Sequence, residues 1–350
     1  MPTAKKLRQS DIARLANVSQ ATVSMVLNDR ASEHGIPEST QERIRAAIAE
    51  LGYQPNIAAR ALRGGRNNLI GVHTFARAFP VARNDYFNEF LNGIEAQAVD
   101  EGLDLVLFAS TQKPDGTRSI YGNGSNRLRL ADGAVMLGFE QDDGELARLA
   151  GEGFDFVFVG RREVPGVSIP FVTADYFDSM EPVVDLLLAH GHQRVRYLAA
   201  AVRRGPQDER LSGVLAFASA AGIEVDTLVV DPAEIGRAFL DGFLNDGTTA
   251  VIVETYDLAR ALHLAVTAAG IDVPGDLSVV CLDTDALDEH YGSWSRVGIP
   301  RHEMGRAAVR ILLRRIDGDI PADYFEVVPC TAPTAASVAP PRAGVGTSRS

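Results

Sequence analysis

The sequence predicts a small all-α head followed by an α/β body of two doubly wound parallel-sheet lobes. Three observations predict it. Residues 1–54 show short apolar patterns at helical spacing and no strand-like run. From Leu69 onward, near-continuous apolar runs of strand length alternate with amphipathic helical stretches, the pattern of a parallel sheet covered on both faces. These runs are too many for one mononucleotide-binding half, so two lobes are expected, and 350 residues suffice for them.

Taken in order, Ser10 can cap a helix over 11–16, with Ile12 and Leu15 at helical spacing and Asp11 at the positive end of the dipole. A break at Asn17-Val18 follows, and Ser19 can cap a second helix over 20–27. Residues 28–35 form a polar loop. A third helix is predicted over 38–51, with Ile44, Ala47, Ile48 and Leu51 on one face and Gly52 where a left-handed C-cap is wanted. Pro55-Asn56 opens a short fourth segment over 57–63, closed by Gly64-Gly65. Three small helices, the second tightly joined to the first, form a helix-turn-helix pattern.

In the body, strands are predicted over 69–75, 103–109, 133–138, 154–160, 195–200, 228–230, 250–255 and 277–283. Helical stretches between them include 86–101, 178–190, 210–221 and 258–270. From Thr331 the chain is Ala, Pro, Gly, Ser and Thr with almost no bulky apolar group, which predicts a disordered tail. The expected divisions are a head over 1–54, a hinge and linker over 55–67, the two-lobed body over 68–330 and the tail over 331–350.

Composition narrows the function. Hydrophobic residues at 46% and charged residues at 23% fit a globular chain, and no apolar run approaches the ~18 residues of a membrane span. The basic start lacks an apolar stretch after it, so a secretory signal is not expected. Cys281 and Cys330 are far apart and form no CxxC pair, which points to neither a disulfide framework nor a zinc site and favours a reducing cytoplasm. Net charge is −12, yet residues 1–66 hold ten Lys/Arg against six Asp/Glu, while the remainder holds 24 against 40. A basic head on an acidic body attracts phosphates at the head alone.

Ser10-Asp11-Ile12-Ala13-Arg14-Leu15-Ala16-Asn17-Val18-Ser19-Gln20-Ala21-Thr22-Val23-Ser24-Met25-Val26-Leu27-Asn28 closely resembles the DNA-binding head of the lactose-repressor (LacI/GalR) family. The pattern continues in Leu51-Gly52-Tyr53-Gln54-Pro55-Asn56 and Ala58-Ala59-Arg60-Ala61-Leu62, and weaker blocks such as Gly191-His192-Gln193-Arg194-Val195 and Glu303-Met304-Gly305 extend it through the body. Val18, Val23 and Val26 would pack the second helix on the first beside the small Ala13. Ser19 and Thr22 stand where hydroxyls and free amides hold phosphate. Gln20, Ala21 and Met25 would face base edges, with Gln suited to adenine and Ala and Met to a thymine methyl. Asn28 closes this DNA-facing set. Many relatives carry Arg at the position of Met25, and the loop over 29–36 is about two residues longer than the family's usual form.

The resemblance also implies a hinge helix that forms on DNA, with Asn56 and Ala59 in register and Leu62 as a wedge entering a central base step from both subunits. Such a wedge unstacks the step for a few kcal/mol, offset by contacts a bent duplex permits. The body resembles a periplasmic sugar-binding protein, with a ligand between two lobes at the carboxyl ends of strands. Tyr86 and Phe87 could wall a sugar ring. Arg161, Asp175, Arg210 (in Arg210-Leu211-Ser212-Gly213), Thr255, Asp283 and Trp294 complete the expected effector set, in which an arginine fork and a carboxylate suit vicinal hydroxyls. Where many relatives have Asn-Asp, this chain has Thr255-Tyr256 preceded by Glu254.

The function implied is a cytoplasmic, homodimeric transcription regulator, expected to repress. It would bind a near-palindromic operator in double-stranded DNA under allosteric control by a sugar-like small molecule, with no cofactor, metal or membrane. The rival readings are an enzyme and a solute-binding receptor without a DNA role. No Gly-x-Gly-x-x-Gly follows the first strand, and no Walker loop or Gly-x-Ser-x-Gly elbow occurs. The seven histidines, His190 and His192 included, form no metal-ligand pattern. The receptor reading leaves residues 1–66 without a purpose. The absence of leucine heptads in the tail argues for a dimer and against a tetramer.

Overall fold

A computed structural model describes residues 7–27, 31–53, 66–75, 87–109, 117–122, 124–138, 141–244, 246–283 and 294–342. The chain divides into two compact units, 1–67 and 68–350. The first contains α1 (Gln9–Leu15), α2 (Gln20–Leu27) and α3 (Glu38–Leu51). Ile12, Val23 and Ile44, one from each helix, are fully buried together, with Ala13, Ala16 and Ala47 allowing close approach.

Asn17 turns α1 into α2 through the left-handed region (φ 51°), which asparagine tolerates better than most side chains. The Val18 amide then donates to the Ala13 carbonyl (3.0 Å). Ser19 Oγ caps α2 by accepting from the Thr22 amide (3.1 Å), as its position predicts. At α1 the expectation is corrected: the helix starts at Gln9 and takes Ser10 inside it. Asp11 ties the first turn instead, accepting from the Arg8 amide (2.9 Å), the carboxylate half of a capping box. Gly52 ends α3 at φ 60°.

The second unit carries two parallel sheets. One holds β1 (Leu69–Thr74), β2 (Asp104–Leu107), β3 (Gly133–Leu137), β4 (Phe156–Val159), β5 (Phe171–Ala174) and β11 (Phe325–Val328), in the order β11-β5-β4-β3-β1-β2. The other holds β6 (Arg194–Ala199), β7 (Glu224–Val229), β8 (Ala250–Val253), β9 (Ser278–Cys281) and β10 (Ser295–Arg296), in the order β10-β9-β8-β6-β7. Helices α4 (Asn88–Asp100), α5 (Asp143–Gly151) and α10 (Arg301–Ile316) cover the first sheet. Helices α6 (Glu181–Ala189), α7 (Gly205–Ala221), α8 (Arg237–Leu244) and α9 (Tyr256–Ala269) cover the second. Strands β3, β4, β8 and β9 are buried along their whole length, which is why they read as continuous apolar runs.

Helices α4 and α10 meet through glycines. A Cβ on Gly305 would lie 2.2 Å from the Phe90 carbonyl oxygen, and one on Gly93 only 1.9 Å from that of His302. The chain passes between the lobes after β5, after β10 and again after β11. Among the described residues no helix is long and apolar enough to cross a membrane.

Several elements depart from the sequence expectation. The strand expected over 228–230 is the end of β7, which starts at Glu224; its exposed Glu224, Asp226 and Thr227 hide it, as befits an edge strand. Helix α7 starts at Gly205, ahead of the expected 210, because Pro206 sits in the first turn, where its missing N–H costs nothing. The disordered tail is corrected over 331–342. Thr331 and Gly298 exchange backbone hydrogen bonds (2.8 and 2.9 Å), and the buried Ser337 donates to the Val279 carbonyl (2.5 Å) and accepts from the Ser295 amide (2.7 Å). Val338 joins the second-lobe core. Small side chains let this segment lie close against β9 and β10, so a composition that reads as disorder serves packing. Residues 343–350 lie outside the described residues.

Candidate nucleic-acid interface and ligand cavity

In the head, Val23 and Val26 anchor α2 on one side while Ser19, Gln20 and Ala21 are exposed at its first turn. Thr22 and Met25 are half-buried, and the Thr22 and Ser19 hydroxyls share a hydrogen bond (2.8 Å). A helix start with exposed polar and small groups and free amides can hold a phosphate and present Gln20 and Ala21 to base edges. The Gln41 side-chain Nε2 donates to the Ile36 carbonyl (3.0 Å), fixing the end of the long loop on α3. Asn28, Asn56, Ala59, Leu62 and Tyr86 lie outside the described residues.

Between the lobes of the body lies a cavity of about 490 Å³. The carboxyl ends of β3, β4 and β5 reach it through Leu137, Val159 and Thr173, and Phe87, Phe90, Tyr176 and Met304 add apolar surface. Among the described residues its charged groups come from two short segments: Arg161, Arg162 and Glu163 after β4, and Arg204, Asp208 and Glu209 around the start of α7. Arg162 donates to the Gly138 carbonyl and lies 4.5 Å over the Phe158 ring, so the protein itself fixes its place. Burial lifts the Glu209 carboxyl above the usual carboxylate range; Arg161 opposes the lift and Asp175 adds to it.

Of the sequence-predicted effector residues, Phe87 and Arg161 line this cavity. The other described ones are placed elsewhere. Arg210 is buried, donating to the carbonyls of Pro206 (3.2 Å) and Leu282 (2.7 Å) with its guanidinium over Tyr176. Asp175 accepts from the Asp178 amide (3.1 Å). Thr255 caps α9 through the Leu258 amide (3.5 Å). Asp283 is ion-paired with Arg301. Trp294, expected to stack on ligand, packs in the core of the second lobe, edge-on to His263 with ring centroids 5.2 Å apart. Among the described residues no group of three or more His, Cys, Asp or Glu is placed to hold a metal ion.

Comparison with known proteins decides the family. Residues 10–56 match the bacterial regulatory proteins of the lacI family, and residues 184–337 match the periplasmic binding protein-like domain. The chain is similar to the HTH-type transcriptional regulator reg1 of Streptomyces lividans, 30% identical over 337 residues that cover 92% of this chain and 93% of the relative. It belongs to the LacI family. It is a DNA-binding transcriptional regulator, as its relatives are, and not an enzyme.

Other members of the LacI family cover almost the whole chain. The regulator CelR of Thermobifida fusca is 28% identical over 321 residues, covering 88% of this chain and 91% of its own. A solved lac repressor dimer bound to operator and the anti-inducer ONPF shares the fold with a TM-score of 0.70 at 22% identity, covering 96% of this chain and all of that one.

Against that family background, sequence reasoning missed the second-lobe wall. Arg204, Asp208 and Glu209 sit where Gly205-Pro206 reads as a loop, and the signal that finds them is proline at a helix start. It also missed the buried Glu254. That carboxylate accepts from the Tyr197 hydroxyl (2.8 Å), the Ala200 amide (2.8 Å) and Arg203 (2.5 Å).

Proposed function

We propose that this LacI-family chain works in the cytoplasm as a homodimeric repressor of a near-palindromic operator, with a sugar of disaccharide size as its effector. The observation that carries the reading is one chain joining a helix-turn-helix unit, with Gln20 and Ala21 exposed on α2, to an inter-lobe cavity. Ser19, Thr22, Met25 and Asn28 complete the DNA-facing set, with Asn56, Ala59 and Leu62 in the hinge. A dimer places two heads in successive major grooves, which is what a palindrome requires.

The cavity volume falls within the roughly 300–1,000 Å³ of small-molecule sites. Phe87, Phe90 and Tyr176 offer ring faces, while Arg161, Asp208 and Glu209 offer donors and acceptors for hydroxyls. Arg210 and Asp283 support the walls around them. A solved CelR structure that shares this fold (TM-score 0.59, 24% identity) is a cellobiose complex, which favours a sugar here as well.

Selection from a random duplex pool with the full-length protein at fixed moderate salt tests the reading. Enrichment of one palindrome, with preference at the outer bases lost on Gln20→Ala, supports it. Salt-sensitive binding with no enriched sequence, with and without cellobiose, sucrose and maltose, contradicts it.

A further inference from the structure

Glu254 follows β8, has no exposed surface and does not line the cavity. Its two oxygens meet donors only. One takes the Tyr197 hydroxyl (2.8 Å) and Arg203 (2.5 Å), and the other takes the Ala200 amide (2.8 Å). Arg203 reaches on to Asp208 (3.0 Å), which does line the cavity. Ala200 and Arg203 flank the turn from β6 into α7, and residues 204–209 supply the described second-lobe lining of the cavity. A carboxylate buried this deeply costs several kcal/mol unless donors surround it, and here each donor but Tyr197 belongs to that turn.

We infer that Glu254 is a positioning residue for the cavity: through Ala200 and Arg203 it fixes the turn into α7, and with it Arg204 and the helix start that carries Asp208 and Glu209, and thereby selects the ligand without touching it. The selection half rests on the sugar reading above; the positioning half does not. An acceptor-only group is needed at 254. In Glu254→Gln, whose shape is nearly the same, the carboxamide must aim an N–H at Ala200 or at Arg203, and the turn loses a point of attachment.

The experiment compares full-length wild type, Glu254→Gln and Arg203→Met by amide hydrogen exchange and by calorimetric titration with cellobiose and with maltose. Loss of a hydrogen bond to a buried charge predicts at least about tenfold weaker binding of the preferred disaccharide and a smaller ratio between the two. Exchange should quicken within 200–209 in both variants while β8 and β9 keep wild-type rates. Unchanged exchange in 200–209, equal acceleration across β6, β8 and β9, or quickened exchange with wild-type affinities each overturns the inference. Should wild type bind neither sugar, the effector reading fails by itself and the exchange data alone decide the positioning role.

Discussion

Arg301, at the start of α10 in the first lobe, is ion-paired with Asp283, two residues past β9 in the second. The guanidinium also meets Glu89 at the start of α4 (3.3 Å), and it is only 6% exposed. The pair therefore spans the passage between the lobes, and the acceptor that the sequence offers to ligand hydroxyls is engaged by the protein's own arginine. Asp283→Asn removes one of the carboxylates that compensate that buried cation. A cost of about 3 kcal/mol in denaturant unfolding is expected, with sugar affinity falling less than tenfold. Wild-type stability with affinity abolished would instead make Asp283 a ligand contact.

The α4–α10 contact sets a sterically sharper test. Gly305→Ala places a methyl 2.2 Å from the Phe90 carbonyl oxygen, a backbone atom that cannot rotate away. At least about 3 kcal/mol of destabilisation is expected, at or beyond the top of the usual overpacking range. Gly151→Ala, at the end of α5 with open space around its Cβ, should be neutral or stabilising by up to about 1 kcal/mol. Equal melting shifts in the two variants would contradict the packing.

Glu209 gives a pH signature. Its carboxyl is raised by burial in the native state, so ionising it costs the folded protein more than the unfolded chain. Well below the ordinary carboxylate pKa of about 4.3, both states are protonated and the penalty is absent. As pH rises past that value and then through the raised native pKa, the penalty appears and stays. Glu209→Gln should therefore melt above wild type at neutral pH and converge with it in acid. A melting difference independent of pH would contradict the assignment.

Much of the fold is legible because burial on both faces writes itself into composition: β3, β8 and β9 are apolar runs, and α2 is capped where Ser19 says. What is not legible depends on partners distant in sequence. Ser337 packs against Val279 and Ser295, Trp294 against His263, and Asp283 against Arg301, and no local pattern records those meetings. The cavity divides the same way. Phe87 and Arg161 follow from their places at element ends, whereas Arg204, Asp208 and Glu209 are hidden by a Gly-Pro helix start.

The ordered segment after β11 is itself testable. Ending the chain at Cys330 removes Ser337 and its hydrogen bonds with Val279 and Ser295, together with the buried Val338. Unpairing buried backbone and serine groups at about 1–3 kcal/mol each should lower the stability of the second lobe by several kcal/mol. Ending it at Arg342 keeps all of these contacts and should leave the second lobe measurably more stable than ending it at Cys330. Equal stability of the two truncations would contradict the packing of this segment.

The most direct test of the account is operator affinity measured on a selected palindrome at fixed salt, with and without a saturating disaccharide that the body binds. The account predicts a change in operator Kd of roughly 5–150-fold, matched by the same factor in sugar affinity when operator is present. An operator Kd that stays the same while the sugar demonstrably occupies the cavity would contradict it.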